Sequence, residues 1–341
     1  MLNLLIFLRE KLLRPVLGRR RICELDDALY DSYQSLILFF FETATGAKVS
    51  LHGDAAKVLA QKESVLFISN HQSTMDWAVV DMLAVRQGSL GHLRYVLKSD
   101  LQYIPLYGFY FWLHGGVYVR RAGSFKAERC LSQLAYLAQV PAFSWLVLFP
   151  EGTRFGKPAS LAKSTKYARA RGWQPLRHVL TPRVKGAHLV LQTLRGKLDA
   201  IYDVTIAYSQ PRHTASTPGH LQAPSMLDFA ASPQGNSVAI HLRRWAIDEI
   251  PDDEESLAHW LYQRFQEKDR LLGEYAASGR LGEEVVSRSV LGNRRPWLNL
   301  SLWWLLALPW YASPWGRKAT LSIWIGASLA NIAYIKAMKA V

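Results

Sequence analysis

The sequence predicts an α/β fold, a sheet flanked by helices, followed at the C-terminus by a transmembrane or membrane-embedded helical hairpin. Three observations carry that expectation. Strand-like and helix-like stretches alternate from residue 47 to residue 246, two distinctive polar motifs sit just past strand-like runs, and two charge-free stretches follow residue 296. Such alternation argues for a sheet with helices on its faces. Sites in these sheets gather at the carboxyl ends of strands.

The N-terminus comes first. Arg9, Lys11, Arg14, Arg19, Arg20 and Arg21 stand against Glu10 alone, and leucines from Leu2 to Leu13 with Phe7 supply an apolar face. The apolar stretch 2–8 is too short to span a bilayer and lacks a cleavage site of small residues. Residues 1–24 therefore read as a basic amphipathic membrane-surface segment, with a mitochondrial targeting segment and an ordinary surface helix as alternatives. From Leu25 to Phe41, the positions Leu25, Leu29, Tyr33, Leu36, Ile37 and Phe40 recur at helical spacing. A helix packed on the core and one dipping into lipid fit that stripe equally.

Strands are expected near 47–52, 64–69, 93–98, 116–120, 144–150, 177–180, 200–208 and 237–246, and helices over 73–87, 100–113, 124–139, 158–171 and 182–196. Residues 209–236 carry Pro211, Pro218, Pro224 and Pro233 and form a long loop, since strand-like sequence resumes at Ser237. Pro251-Asp252-Asp253-Glu254-Glu255 opens a helix with acids in its first turn, opposite the positive end of the dipole.

The C-terminus differs in kind. Trp297–Gly316 and Ala319–Ile335 hold no charged residue, and they are bracketed by Arg294-Arg295, Arg317-Lys318 and Lys336. Two such stretches read as a membrane hairpin over 297–337, the alternative being buried core helices. Pro309 makes the first the weaker span.

Composition narrows the partners. At 341 residues, half of them apolar, the chain can bury one large core, or one core plus membrane segments. A formal charge of +14 calls for an anionic partner: nucleic acid, an anionic membrane or a phosphorylated substrate. Twelve tryptophans, crowded toward the C-terminal third, favour the membrane interface over a nucleic-acid platform. Cys23 and Cys130 stand far apart, so neither a disulfide framework nor a zinc site is implied, and a reducing compartment fits.

The chemistry lies in Asn70-His71-Gln72-Ser73-Thr74-Met75-Asp76, which follows the apolar run Ser64–Ser69. A neutral imidazole is matched to taking a hydroxyl proton near neutral pH, and it needs a carboxylate to fix its tautomer. On one ideal helix His71 and Asp76 would stand about 140° apart. They meet only if His71 precedes the helix, and Ser73 with Asp76 resembles a capping box that starts it there. A plain helix cap is the alternative.

Phe149-Pro150-Glu151-Gly152-Thr153-Arg154 follows the strand-like Trp145–Leu148; Gly152 permits a tight turn, and Thr153 and Arg154 offer donors to phosphate. A β-turn with a surface ion pair would look the same. His114-Gly115-Gly116 with Arg120-Arg121 reads as an anion-contacting turn or an ordinary hairpin, and Lys98 as a further cation at a strand end. No G-x-S-x-G, Walker, G-x-G-x-x-G or H-E-x-x-H pattern occurs. Direct attack by a substrate hydroxyl, without a covalent enzyme intermediate, is what survives.

Taken in order, Asn70–Trp77, Gly115–Arg121 and Phe149–Arg154 resemble the glycerolipid acyltransferases that act on 1-acylglycerol-3-phosphate. Leu180-Thr181-Pro182-Arg183-Val184-Lys185-Gly186 is similar to their proline-containing fourth block, more loosely because of Thr181 and Arg183. Gly91–Lys98 and Asp199–Thr205 resemble the epsilon-type member in particular. The resemblance covers about residue 25 to the C-terminal hairpin, with an acyltransferase domain over 25–290.

It implies transfer of an acyl group from acyl-CoA to the sn-2 hydroxyl of lysophosphatidic acid, giving phosphatidic acid. His71 would be the general base and Asp76 its orienting partner. Arg121, Glu151, Gly152, Thr153 and Arg154 would line the acceptor site, Lys98 would add a phosphate contact, and Pro182 would belong to the acyl-CoA side. No metal and no tightly bound cofactor are implied, acyl-CoA being a co-substrate. Membrane lipids are expected partners and nucleic acid is not. The expected location is a membrane, that of the endoplasmic reticulum, with the mitochondrial membrane as alternative. Acylation of lysophosphatidylglycerol or lysocardiolipin is the rival activity, and a silent lipid-binding protein the rival class.

Overall fold

A computed structural model of the protein describes residues 14–104, 107–119, 127–209, 212–213, 221–232, 236–282, 284–287, 294–322 and 325–326. Residues 1–13 of the basic N-terminal segment therefore lie outside the described residues, as do Arg120 and Arg121. The chain begins with α1 (Arg14–Leu38), broken at Gly18 where φ is 71° and ψ 161°, and a π-helical turn follows over Phe39–Thr43. Then come β1 (Lys48–Gly53), α2 (Ala55–Ala60), β2 (Val65–Ser69), α3 (Asp76–Gln87), β3 (Leu93–Lys98), α4 (Tyr107–Leu113) and β4 (Val117–Val119). The middle holds α5 (Ala127–Ala138), β5 (Trp145–Leu148), α6 (Pro158–Ala170), α7 (Val184–Leu194) and β6 (Ala200–Tyr208). The remainder is β7 (Arg212–His213), β8 (Leu221–Gln222), α8 (Met226–Ala230), β9 (Ser237–Ala246), α9 (Glu254–Ser278), β10 (Glu284–Ser287) and α10 (Arg294–Ala312).

Eight strands form one mixed sheet in the order β10-β1-β9-β6-β2-β5-β3-β4. The block β4-β3-β5-β2-β6 is parallel, so the carboxyl ends of its strands share one edge. Strand β9 runs antiparallel to β6, β1 runs parallel to β9, and β10 closes the far edge antiparallel to β1.

Alternate side chains feed two apolar layers, the pattern a sheet covered on both faces requires. Val65 and Phe67 pack with α3 and Tyr30 of α1, while Leu66 and Ile68 pack with α5, α7 and α9. Through the second layer runs one buried ion pair, Lys268 of α9 with Asp203 of β6, and the ammonium also donates to the Val204 carbonyl at 2.6 Å. Burial pushes Lys268 down from the ordinary lysine range, and Asp203 holds it up.

The strand expected at 177–180 is loop. Its backbone donors go to side chains: Arg177 N and His178 N donate to Asp269 Oδ1 at 2.8 and 2.6 Å, and Leu180 N donates to Glu151. The turn 73–75 precedes α3, so that helix begins at Asp76 rather than at Ser73.

The C-terminal hairpin expectation is overturned. Among the described residues no helix is long and apolar enough to cross a membrane. The charge-free window Trp297–Gly316 does not map onto one helix: α10 starts at Arg294-Arg295, contains Pro309, and ends where Ser313 bends the chain. Arg317 then donates to the carbonyls of Tyr311 and Ala312, each at 3.0 Å. A Cβ at Gly316 would lie 1.9 Å from the Trp310 carbonyl oxygen, so only glycine closes this corner. Of the second stretch, 323–324 and 327–335 lie outside the described residues.

Instead α10 packs along α1. Trp303 Nε1 donates to Ser32 Oγ at 3.2 Å, Trp297 meets Phe39 edge-on at 4.9 Å, and Trp303 meets Tyr33. The opposite face of α10, with Leu298, Trp304, Leu305 and Leu308, is exposed, and so are Leu25 and Leu29 of α1 and Phe40 of the π-helical turn that follows it.

Candidate active site

Strand β2 ends at Ser69 against β6, and Asn70 then replaces the next ladder residue with its side chain. Its Nδ2 donates to Ile206 O at 2.9 Å and its Oδ1 accepts from Ile206 N at 2.8 Å. The backbone is thereby free to turn at His71 without opening unpaired groups in the core. The His71 carbonyl accepts from Phe155 N at 2.8 Å, and the His71 N–H donates to Glu151 Oε1 at 2.7 Å.

Asp76, on the first turn of α3, is 1% exposed and is the centre of the loop. Its Oδ2 accepts from His71 Nδ1 at 2.7 Å, Gln72 N at 2.8 Å and Ser73 N at 3.0 Å. The capping box expected with Ser73 as N-cap does not close: the carboxylate reaches back to Ser73 N, but Ser73 Oγ accepts from Met75 N at 2.9 Å, and Met75 is the N-cap of α3. A fourth donor, the Tyr208 hydroxyl at 2.6 Å, holds Oδ1. With Nδ1 carrying the proton toward Asp76, Nε2 is the nitrogen that accepts. The imidazole also stacks on Phe149, ring centroids 4.5 Å apart.

Glu151 is buried, and each of its oxygens takes a backbone N–H: His71 N on one, Leu180 N at 3.0 Å on the other. Burial pushes its carboxyl well above the usual range, against the pull of those two donors. Arg183 N donates to Pro150 O at 2.8 Å, a second tie between the same two loops. The blocks around His71, Glu151 and Pro182 are therefore held together, and Pro182 itself is buried just ahead of α7. Gly152 has a φ of 70°, the left-handed turn that leads the chain away from Glu151.

Beside this corner, at the strand ends, is a cleft of about 470 Å³. Val96, Leu148 and Phe149 give it an apolar floor; Thr153, Lys163, Arg183 and Lys185 bring hydroxyl and cationic groups, and Gly152 lines it with backbone. Phe149 is its wall nearest His71. Arg154 is half-buried between Thr153, on this cleft, and Phe155, which lines a smaller depression of about 300 Å³ with Gln72, His178 and Tyr208. Lys98, at the carboxyl end of β3, is exposed and paired with Asp100. Arg121 lies outside the described residues.

His114 is not displayed to an anion. Its ring stacks on Tyr30 at 3.8 Å, its Nδ1 bonds Asp26 at 2.7 Å, and burial drives it down to about 4. Asp26, Asp27 and His114 are close enough to share a cation, but the Arg94 guanidinium already fills the space, 2.6 Å from Asp27 and 2.7 Å from His114. This cluster fastens α1 to the sheet.

Two residues of the site carry no signal in the sequence. Tyr208 ends a mostly apolar strand and reads as core. Asn70 reads as a turn residue, because its partner is 136 residues away.

The comparisons with known proteins agree on one family. Residues 49–209 match the acyltransferase family and residues 234–305 the acyltransferase C-terminus family. The chain is 42% identical over 267 residues to 1-acyl-sn-glycerol-3-phosphate acyltransferase epsilon of Mus musculus, covering 78% of this chain and 72% of that one. It is 36% identical over 260 residues to the probable 1-acyl-sn-glycerol-3-phosphate acyltransferase 5 of Arabidopsis thaliana, 76% of this chain and 65% of that one. The gamma enzyme of Mus musculus is 31% identical over 290 residues, 84% of this chain and 72% of that one.

Proposed function

This chain belongs to the 1-acyl-sn-glycerol-3-phosphate acyltransferase family, and on that premise we propose that it passes an acyl group from acyl-CoA to the sn-2 hydroxyl of lysophosphatidic acid. The observation that supports this most is the His71–Asp76 pair, fixed with Nε2 as the accepting nitrogen at the edge where five parallel strands end. Nε2 takes the hydroxyl proton as the hydroxyl oxygen attacks the thioester carbonyl carbon. The C–S bond then breaks, and the proton passes from His71 to the departing thiolate, leaving phosphatidic acid and free CoA. A thioester is already activated, so base catalysis by an oriented imidazole is enough to start it.

The acceptor's phosphate is assigned to Gly152, Thr153 and Arg154, with Lys98 and Arg121 as further cations. The block around Pro182, where Arg183 and Lys185 line the cleft, faces the acyl-CoA side. The test is purified protein with labelled oleoyl-CoA and a panel of lysophospholipids. Labelled phosphatidic acid as the main product supports the reading; exclusive use of lysophosphatidylglycerol or lysocardiolipin, or no product, overturns it. In the same assay Arg154→Ala is expected to raise the KM for lysophosphatidic acid about tenfold, the scale of one charge-assisted contact, and leave that for acyl-CoA within twofold. Equal rises in both would move Arg154 off the acceptor.

The lipid is met at a surface. Leu298, Trp304, Leu305 and Leu308 of α10, packed along α1, are exposed, and so are Arg20 and Arg21 of α1, which pair with Glu24, and Arg317 and Lys318 past the end of α10. An apolar aromatic face rimmed by cations fits an anionic bilayer interface. Replacing Trp304 and Leu305 together with glutamate is expected to lower the fraction sedimenting with anionic vesicles at least tenfold, given roughly 1.5–3 kcal/mol for each large apolar side chain buried. Unchanged sedimentation would show that this face stays in water.

A further inference from the structure

We propose, building on the acyl-transfer reading, that Tyr208 is a positioning residue for His71 and acts on it through Asp76. The donors on Asp76 divide unequally. His71 Nδ1 and the N–H groups of Gln72 and Ser73 all fall on Oδ2 and all come from the loop that the carboxylate must hold. A carboxylate gripped by one oxygen retains rotation about its last torsion, a broad and soft one. Oδ1 is held from outside that loop, by the Tyr208 hydroxyl.

Tyr208 is suited to give a fixed point. Strand β6 pairs with β2 only as far as Val204, opposite Ser69, and continues past it paired to β9, with Tyr208 opposite Val238. Its last residue thus stands over the turn that β2 leaves, and Asn70 ties that turn to Ile206 of the same strand. The Tyr208 side chain is almost fully buried, so the phenol cannot swing away into water. Any buried tyrosine hydroxyl needs an acceptor. Here the acceptor is the carboxylate that orients the base, which makes the bond charge-assisted and couples it to the imidazole.

The coupling has a sign. The phenol draws on the same negative charge that stabilises the His71 imidazolium. Without it, Asp76 holds the imidazolium more strongly, and the acid limb of the rate profile is the readout that moves. Among the described residues the other ionisable groups at this corner are Glu151, on the His71 N–H, Lys268, which acts on Glu151 through space, and Tyr275, which lines the same depression as Tyr208. The phenol's own bond goes to Asp76. His178 enters through its backbone carbonyl, which accepts from Gln72 Nε2 at 3.2 Å.

The experiment compares the full chain with Tyr208→Phe, Asp76→Asn and the double variant, with kcat corrected for the folded fraction by circular dichroism. Tyr208→Phe is expected to lower kcat about tenfold, keep both KM values within about twofold, and move the acid limb of kcat/KM to higher pH. In the Asp76→Asn background the same change should cost nothing further, because the path through Asp76 is already cut. An unmoved limb with full kcat, a loss of thermal stability alone, or an equal fall in the Asp76→Asn background overturns the proposal.

If the phenylalanine variant does not fold, fluorotyrosine at position 208 alone keeps the ring and strengthens the donor. The limb should then move to lower pH, and an unmoved limb again overturns the proposal. NMR titration of His71, assigned by its loss in His71→Gln, must move in the same directions. That readout needs no turnover, so a protein that fails to acylate lysophosphatidic acid would defeat the acyl-transfer reading and leave Tyr208 to be judged separately.

Discussion

His71→Ala is expected to lower kcat for acyl transfer by roughly 10²–10⁴-fold, the range a positioned general base contributes, with the protein still folded. The reason for expecting the fold to survive is specific. The loop is anchored at residue 71 through its backbone, N–H to Glu151 and carbonyl to Phe155 N, and alanine keeps both bonds. What leaves is an imidazole 19% exposed, stacked on Phe149 and bonded to Asp76. Asp76 retains three donors: Tyr208, Gln72 N and Ser73 N. Steady-state rates beside near-ultraviolet circular dichroism and vesicle sedimentation make the check. Turnover within tenfold of the parent, in a folded protein, would remove His71 as the base.

The second large effect is on stability. Lys268→Met is expected to cost about 3–5 kcal/mol, because breaking a buried pair leaves an uncompensated charge in the core. Asp203 would be that charge, in the middle of β6 between β2 and β9. Replacing both members, Lys268→Met with Asp203→Leu, should return most of the loss, since two apolar groups leave nothing unpaired. Urea unfolding with an unchanged slope reads both numbers. A loss under 1 kcal/mol for the single variant would mean that the carboxylate finds another partner or a proton at no great cost.

Most of the sheet is legible in the sequence, for a physical reason. Strands covered on both faces are short apolar runs, and Val65–Ser69 and Trp145–Leu148 take that form, while Ala200–Tyr208 is mostly apolar with Asp203 and Thr205 buried within it. The run at 177–180 shares the look but not the partners: its N–H groups meet the side chains of Asp269 and Glu151, contacts that no local pattern records. The C-terminal window misled differently. Counting charges over Trp297–Gly316 ignores the bend at Ser313 and the arginine folded back onto the end of α10.

At the site, local signals sufficed where the partner was close. Ser73 and Asp76 are three residues apart, and their capping pattern pointed to a helix start that lets Asp76 meet His71. Tyr208 was invisible because a tyrosine among apolar neighbours gives no hint that its hydroxyl ends on a carboxylate 132 residues earlier. Glu151 stands in the sequence as a carboxylate at a strand end; that its two oxygens accept from the backbone of two loops, at His71 and Leu180, depends on contacts 80 and 29 residues away.

The Asn70 clamp gives the sheet a built-in gauge. It grips Ile206, and Tyr208 of the same strand, on the same face, grips Asp76. A slip of one residue between β2 and β6 would turn the phenol to the opposite face of the sheet. Chains that collapse in the wrong alignment would bury much the same apolar surface yet leave the histidine unaligned. Turnover regained during refolding would then count correctly paired molecules, while bulk spectroscopic signals would count compact ones.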